Sequence, residues 1–294
     1  MRAPSTSLPS DGSGAWSRKE SVDEEFLLDI RRIAGHSEYR QCEALQERVW
    51  GVGDLVRVPA LVLITAQDNG GLVLGAFHDD RLVGFVCSYP GLTPEGRLKH
   101  CSQLLAVDPE CQGLGIGHRL KIAQRDAVRT QGIDLITWTF DPLASVNAHF
   151  NLVKLACTAS TYLVDCYGTP VGGLNAGLSS DRLVAEWEIG ASGAENRSVT
   201  EPVWVNRLGT EAGSGLVVNE HLDLDRNERV LGVEIPRDIQ AMKRLNLDLA
   251  RRWRHEVRDA LRHFLSQGYR VVGFRSWQDG IRRCGYQLER SQAA

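Results

Sequence analysis

Apolar residues recur along this chain at two periods, and the switches between them mark out the elements. Between Ser37 and Gly51, Tyr39, Cys42, Leu45 and Val49 fall three or four apart, which is one face of a helix with Ser37 as the expected N-cap. The run "PALVLITAQDNGGLVLGAFHDDRLVGFVCSYPG" is then broken at Asn69-Gly70 and Asp79-Asp80. It predicts successive strands in an antiparallel meander. "RLKHCSQLLAVDP" predicts a further strand. A helix is expected from about Ile116 to Thr130, with Leu120, Ala123, Ala127 and Val128 on one face and Gly132 closing it. "DLITWTFDP" reads as a buried strand, and "ASVNAHFNLVKL" as the helix after it.

Beyond Tyr167 the pattern loosens into the glycine-rich "GTPVGGLNAGLSSDR". "LVAEWEI" and "RVLGVEIP" predict strands. Met242, Leu245, Leu249, Trp253, Val257, Leu261 and Phe264 predict one long amphipathic helix ended by Gly268, with "YRVVGF" as a strand behind it. Its arginines (Arg244, Arg251, Arg252, Arg254, Arg258 and Arg262) alternate with acids, as on a solvated face or a face recognising an anion. The expected organisation is a disordered Pro/Ser/Gly tail over 1–25, a core over 26–170, and an α/β extension over 171–294 packed on that core. The extension is expected to shape the acceptor pocket.

Composition narrows the function classes. Of 294 residues, 43% are hydrophobic and 24% charged, the balance of an ordinary globular protein. A net charge of −3 gives no electrostatic case for nucleic acid or an acidic membrane as partner. No apolar run approaches the roughly 20 residues that span a bilayer. Seven cysteines are scattered without a CxxC pair, so neither a disulfide framework nor a metal site is expected, and a cytoplasmic location is the simplest reading.

The chemistry concentrates in "CQGLGIGHRL", residues 111–120, where a glycine loop runs from a strand into a helix. Free amides at a helix start suit a phosphate. A dinucleotide fingerprint would need a third glycine where His118 or Leu120 stands, and a P-loop would need Gly-Lys where Gly117-His118 stands. What fits is [Q/R]-x-x-G-x-[G/A], met by Gln112, Gly115 and Gly117.

With this motif, in the order strand "LLAVDPE", loop, helix and strand "LITWTF", the sequence resembles the GNAT superfamily of acyl-CoA-dependent N-acyltransferases. "SVNAHFNLVKLA" resembles the family's next segment, N-x-x-A-x-x-L-Y-x-K-x-G, with Ala148 and Lys154 matching directly. The likeness covers roughly residues 36–170. The remainder resembles an extension in a group of uncharacterised bacterial GNAT-like proteins and brings no assigned chemistry.

The resemblance implies an α/β fold with a mixed, mostly antiparallel central sheet flanked by helices, followed by a C-terminal α/β extension. It also implies acetyl-CoA, or another acyl-CoA, as co-substrate. Gln112, Gly113, Leu114, Gly115, Ile116, Gly117 and His118 would hold its pyrophosphate, the backbone of Leu105, Ala106 and Val107 its pantetheine arm, and Asn147 would contact that arm. Where the family commonly has Glu or His on the strand, this chain has Gln103 and Cys101, placed by strand alternation on the face of Leu105. The family's tyrosine acid is replaced by Leu152. His100 and His149 are substitute candidates for proton transfer. The expected reaction is acyl transfer to a small-molecule amine by direct attack, with a homodimer as a further possibility. The rival expectations are a longer acyl donor, a peptide or protein acceptor, or an acyl-CoA-binding sensor without catalysis.

Overall fold

The computed structural model describes residues 27–51, 57–168, 177–190, 200–211 and 214–290. The expected tail and part of the glycine-rich stretch after Tyr167 lie outside these residues. The N-terminal part runs β1 (Asp29–Arg32), α1 (Gly35–Trp50), α2 (Ala60–Asp68), β2 (Leu72–His78), β3 (Arg81–Leu92), β4 (Leu98–Val107), α3 (Ile116–Thr130), β5 (Leu135–Phe140), α4 (Ser145–His149), β6 (Thr158–Leu163) and β7 (Arg182–Glu188). The rest is β8 (Val203–Trp204), β9 (Asn206–Thr210), β10 (Val217–Leu222), β11 (Val230–Ile235), α5 (Ile239–Leu245), α6 (Leu247–Ser266), β12 (Tyr269–Asp279) and β13 (Ile281–Arg290).

Eleven strands form one mixed, mostly antiparallel sheet in the order β1-β2-β3-β4-β5-β7-β6-β12-β13-β11-β8, while β9 and β10 pair separately. β7 lies between β5 and β6 and pairs antiparallel with both. The outer edge of β6 is taken by β12, through Val271 opposite Ala159, so the C-terminal strands continue the sheet of the N-terminal ones. Helices cover both faces. Tyr39, Cys42 and Leu45 of α1 and Leu63 of α2 pack with Val73, Phe77, Phe85 and Ala106 on one face. Ile116 and Leu120 of α3 pack with Leu74, Val83 and Val86 on the other.

Several elements differ from their sequence expectation. "ALVLITAQD" is helix, not strand, because Pro59 sits at the N-cap with extended backbone and its carbonyl accepts from Val62 and Leu63. A short apolar run has no period of its own to tell the two apart. The N-cap of α1 is Ala34 rather than Ser37, with the Glu38 carboxylate accepting from the Ala34 amide. The helix after β5 keeps α form only to His149 and continues as a π-turn over Phe150–Lys154. The single C-terminal helix is two, since Asn246 is extended and its side chain accepts from the Leu249 amide, capping α6.

The arginines of α6 divide. Arg251 makes an exposed pair with Asp248 and Arg252 pairs with the half-buried Glu256, but Arg254 and Arg258 point inward. Arg254, 2% exposed, forms a two-armed pair with Asp141 at 2.8 and 2.7 Å. Asp141 also accepts from the Leu143 amide, and the Tyr286 hydroxyl donates to the Pro142 carbonyl. The turn between β5 and α4 is thus held by α6 and β13 together.

Removing one partner of such a pair leaves a buried charge uncompensated. Asp141→Asn should therefore cost about 3 kcal/mol in a urea titration, and adding Arg254→Met should recover most of it. Equal losses in the single and double variants would contradict this role.

Candidate active site

The site is built on the separation of β4 and β5. These parallel neighbours pair only at His100 with Ile136 and Cys101 with Thr137. β4 is registered with β3 from Leu98 to Val107, and β5 with β7 from Leu135 to Phe140. Each strand is therefore held by its outer neighbour while the two part from Ser102 and Trp138 onward. The V-shaped gap leaves the backbone of Gln103 to Val107 without a strand partner on the β5 side.

β4 carries one extra residue at this vertex. Its register to β3 passes from Ser102 opposite Ser88 to Leu104 opposite Cys87, which leaves Gln103 as a bulge. The bulge inverts the facing of the residues before it. His100 bonds to Gln131, the C-cap of α3, and Ser102 to Gln124 within it, and Leu105 and Val107 also underlie α3. Cys101 is consequently on the face opposite Leu105, contrary to the strict alternation expected from sequence. Gln103 is exposed at the vertex.

At the open end of the V, β4 leads through a short 3-10 turn, Pro109–Cys111, into the glycine loop. Arg48 and Arg81 both reach the buried Asp108 at the start of that turn. Gly113 and Gly115 have φ of +87° and +78°, which an L side chain adopts only with strain, and a Cβ on either would meet open space. Gly115 is the N-cap of α3 and offers no side-chain cap, and the first helical turn holds no acid. The Ile116, Gly117 and His118 amides therefore stand without an intrahelical acceptor at the positive end of a fifteen-residue helix. A Cβ on Gly117 would lie 3.6 Å from Val107 and 3.8 Å from Leu105, so the first turn of α3 rests directly on the exposed part of β4. Gln112 turns back onto the strand, donating to the Val107 carbonyl at 3.3 Å. Leu114 is 55% exposed beside it.

Gln103, Leu105, Val107 and the glycine loop thus lie along one edge of the gap, with Ala106 and Ile116 buried behind them. The other candidates are dispersed. His100 is fully buried, with Nδ1 3.0 Å from Ser88 and Nε2 2.6 Å from Gln131, and burial lowers its pKa. Both ring nitrogens are engaged, which removes it as a base for a bound amine. Asn147 is exposed on α4. His149 opens on the side toward the extension, where it lines a cleft of about 420 Å³ with Ser145, Arg237, Trp277, Arg282 and Cys284. Leu152 is fully buried.

One residue at the vertex was not anticipated. Lys121 of α3 is 2% exposed, and its ammonium donates to Ser102 Oγ at 3.1 Å and Gln124 Oε1 at 2.7 Å. It lies 3.6 Å from the centre of the Trp138 ring and 5.7 Å from that of Trp187. Among the described residues no carboxylate pairs with it, and burial pushes it down to about 7. Its sequence signal is a lysine inside an otherwise buried helix face: Ile116, Leu120, Lys121, Gln124 and Val128 all point inward.

Comparison with known proteins agrees with this geometry. Residues 27–150 match the acetyltransferase (GNAT) family. This part of the chain is a GNAT acetyltransferase domain.

Solved structures similar to the chain include a GNAT-family acetyltransferase from Desulfovibrio desulfuricans at 19% identity, covering 56% of this chain and 100% of that one with a TM-score of 0.44. The ribosomal-protein-S18-alanine N-acetyltransferase of Escherichia coli matches at 14% identity over 58% and 100% of the two chains, with the same TM-score. An aminoglycoside 6'-N-acetyltransferase complexed with coenzyme A matches at 16% identity over 55% and 98%, with a TM-score of 0.43. No curated protein matches. Among the described residues no helix is long and apolar enough to cross a membrane. The family match implies an acetyl-CoA co-substrate and leaves the acceptor undetermined.

The state of Lys121 makes stability depend on pH. Its folded pKa is below its unfolded value, so between about 7 and about 10.4 the unfolded chain binds a proton that the native one does not. Stability should rise with pH across that window by roughly 1.4 kcal/mol per unit, the full burial penalty being present below it. Urea titrations of the native protein and of Lys121→Met, at about pH 7 and about pH 9, should show the advantage of the variant shrinking as pH rises. A constant difference would contradict the buried, unpaired state of this amine.

Proposed function

We propose that this chain transfers an acyl group, acetyl in the simplest case, from coenzyme A to the amine of a small molecule by direct attack within a ternary complex. The observation that carries the reading is the coincidence of an uncapped glycine cradle at the start of α3 with the V between β4 and β5. A pyrophosphate at the cradle would meet the free amides of residues 116–118. A pantetheine arm running from there along β4 would meet the β5-facing backbone of Leu105 and of Val107, whose carbonyl Gln112 holds, as a peptide adds to a sheet edge, with the buried Ala106 between them paired to β3. Its thioester end would then reach the vertex beside Gln103.

The thioester supplies the activated carbonyl. The chain's part is mainly positioning, which can account for about 7–11 kcal/mol of a barrier of this kind. The acceptor must be neutral, and for a lysine-like amine that costs roughly 4–5 kcal/mol at pH 7. Gln103 cannot take the proton, but its exposed amide can hold a water that does. Direct attack is favoured over an acyl-enzyme because burial pushes the Cys87 and Cys284 thiols up to about 12, and Cys101 faces away from Leu105. We place Asn147 at the rim of the pantetheine path and the extension over residues 171–294 as a wall of the acceptor pocket. The shared sheet and the Arg254–Asp141 pair support that placement. The burial of Leu152 at the position of the family's tyrosine favours a second reading, a sensor that binds acyl-CoA without turnover.

Calorimetric titration of coenzyme A, with thiol release from acetyl-CoA across a panel of amines, separates these readings. Binding with amine-dependent release supports the transferase, binding without release the sensor, and absence of binding neither. Gly115→Val should weaken coenzyme A binding by more than about tenfold, because it forces a side chain into a positive-φ cradle. Gly117→Ala, whose added carbon meets only ordinary contacts, should change it little. Equal effects at the two positions would contradict the assignment of this loop.

A further inference from the structure

Lys121 is placed where the strands part. Ser102 and Trp138 are the first residues of β4 and β5 beyond their last registered pair, and the Lys121 ammonium touches both. The groups that face it are Ser102 from β4, Gln124 from its own helix, Trp138 from β5 and Trp187 from β7, with Cys157 the titratable side chain acting on it from before β6. His100, on the same face of β4, is tied to Ser88 and Gln131. A chain seeking only stability would place an apolar residue here. The position instead holds a proton donor whose hydrogen bonds go to an alcohol and an amide, at the level where β4 and β5 cease to pair.

We propose that Lys121 is a catalytic residue that donates a proton to the thiolate leaving the acyl group. This rests on the acyl-CoA reading of the V. In the step, the acceptor amine forms the C–N bond and the C–S bond breaks, with its electron pair staying on sulfur. The sulfur takes a proton from the Lys121 ammonium to give the free thiol and a neutral lysine. The new amide nitrogen sheds its extra proton to water, and solvent returns a proton to Lys121, so the site is restored. Leu152 cannot play this part, having no proton to give. A lysine poised near neutrality can both lose and regain its proton at working pH.

The test needs no knowledge of the acceptor. Coenzyme A is titrated onto the protein by calorimetry, and the ionisation of its bound thiol is followed with pH by the ultraviolet absorbance of the thiolate. At about pH 7, where Lys121 still carries its proton in part, the bound thiol should be at least about tenfold more ionised in the native protein than in Lys121→Met. The variant should bind coenzyme A with a similar Kd and melt at a higher temperature, which shows that it folds. Thiol release with any active amine should fall by about a hundredfold, the usual scale of a lost acid. A bound thiol that titrates alike in the two proteins, with equal Kd, overturns the inference while leaving the acyl-CoA site intact. Failure of the native protein to bind coenzyme A overturns the reading of the V and this inference with it.

Discussion

The separation of β4 from β5 is the constraint on which the rest depends. Parallel neighbours joined by a helix would ordinarily pair along their length. Here they pair at two positions and then diverge, because β3 holds one and β7 the other. The cost is a row of backbone groups with no strand partner, and such groups are tolerated where water or a ligand can meet them. The bulge at Gln103 sharpens the divergence and turns Ser102 under α3, while α3 lays its uncapped first turn on the far end of the same exposed strand. Sheet, bulge and helix terminus thus converge on one surface.

The C-terminal region belongs to that arrangement. β12 seals the edge of β6, and α6 reaches back through Arg254 to Asp141, the residue that shapes the turn leading into α4. Arg258 does the same further along, binding Asp181 together with Tyr162. Arginines on α6 that pattern alone would put in water are the links between the two halves. The cleft beside His149 and Arg282 lies on this seam.

Legibility in the sequence followed the strength of local signals. α1, β3, β4, α3 and β5 were readable because each combines a clear period with turn residues at its ends. The glycine loop was readable because its spacing excludes the other phosphate motifs. The family resemblance supplied the expectation of a pantetheine strand and of the acyl-CoA co-substrate that the family implies. What escaped depends on partners remote in sequence. The bulge at Gln103 exists only against the register of β3, and it reversed the facing assigned to Cys101. The burial of His100 is set by Gln131 and Ser88, and the inward turn of Arg254 by Asp141. Lys121 sat in plain view on an amphipathic helix, yet only the packing of Trp138 and Trp187 around it gives it meaning. α2 and the break at Asn246 were lost to short local effects, a proline N-cap and an asparagine cap within apolar runs.

Hydrogen–deuterium exchange of the full chain with and without coenzyme A tests the central claim most directly, since it reads the amides on which the claim rests. The account predicts protection concentrated at residues 113–118 and along 103–107, the two arms of one surface, with little change in α1 or β13. Protection absent from the start of α3, or centred on the cleft beside His149 and Arg282, would contradict it.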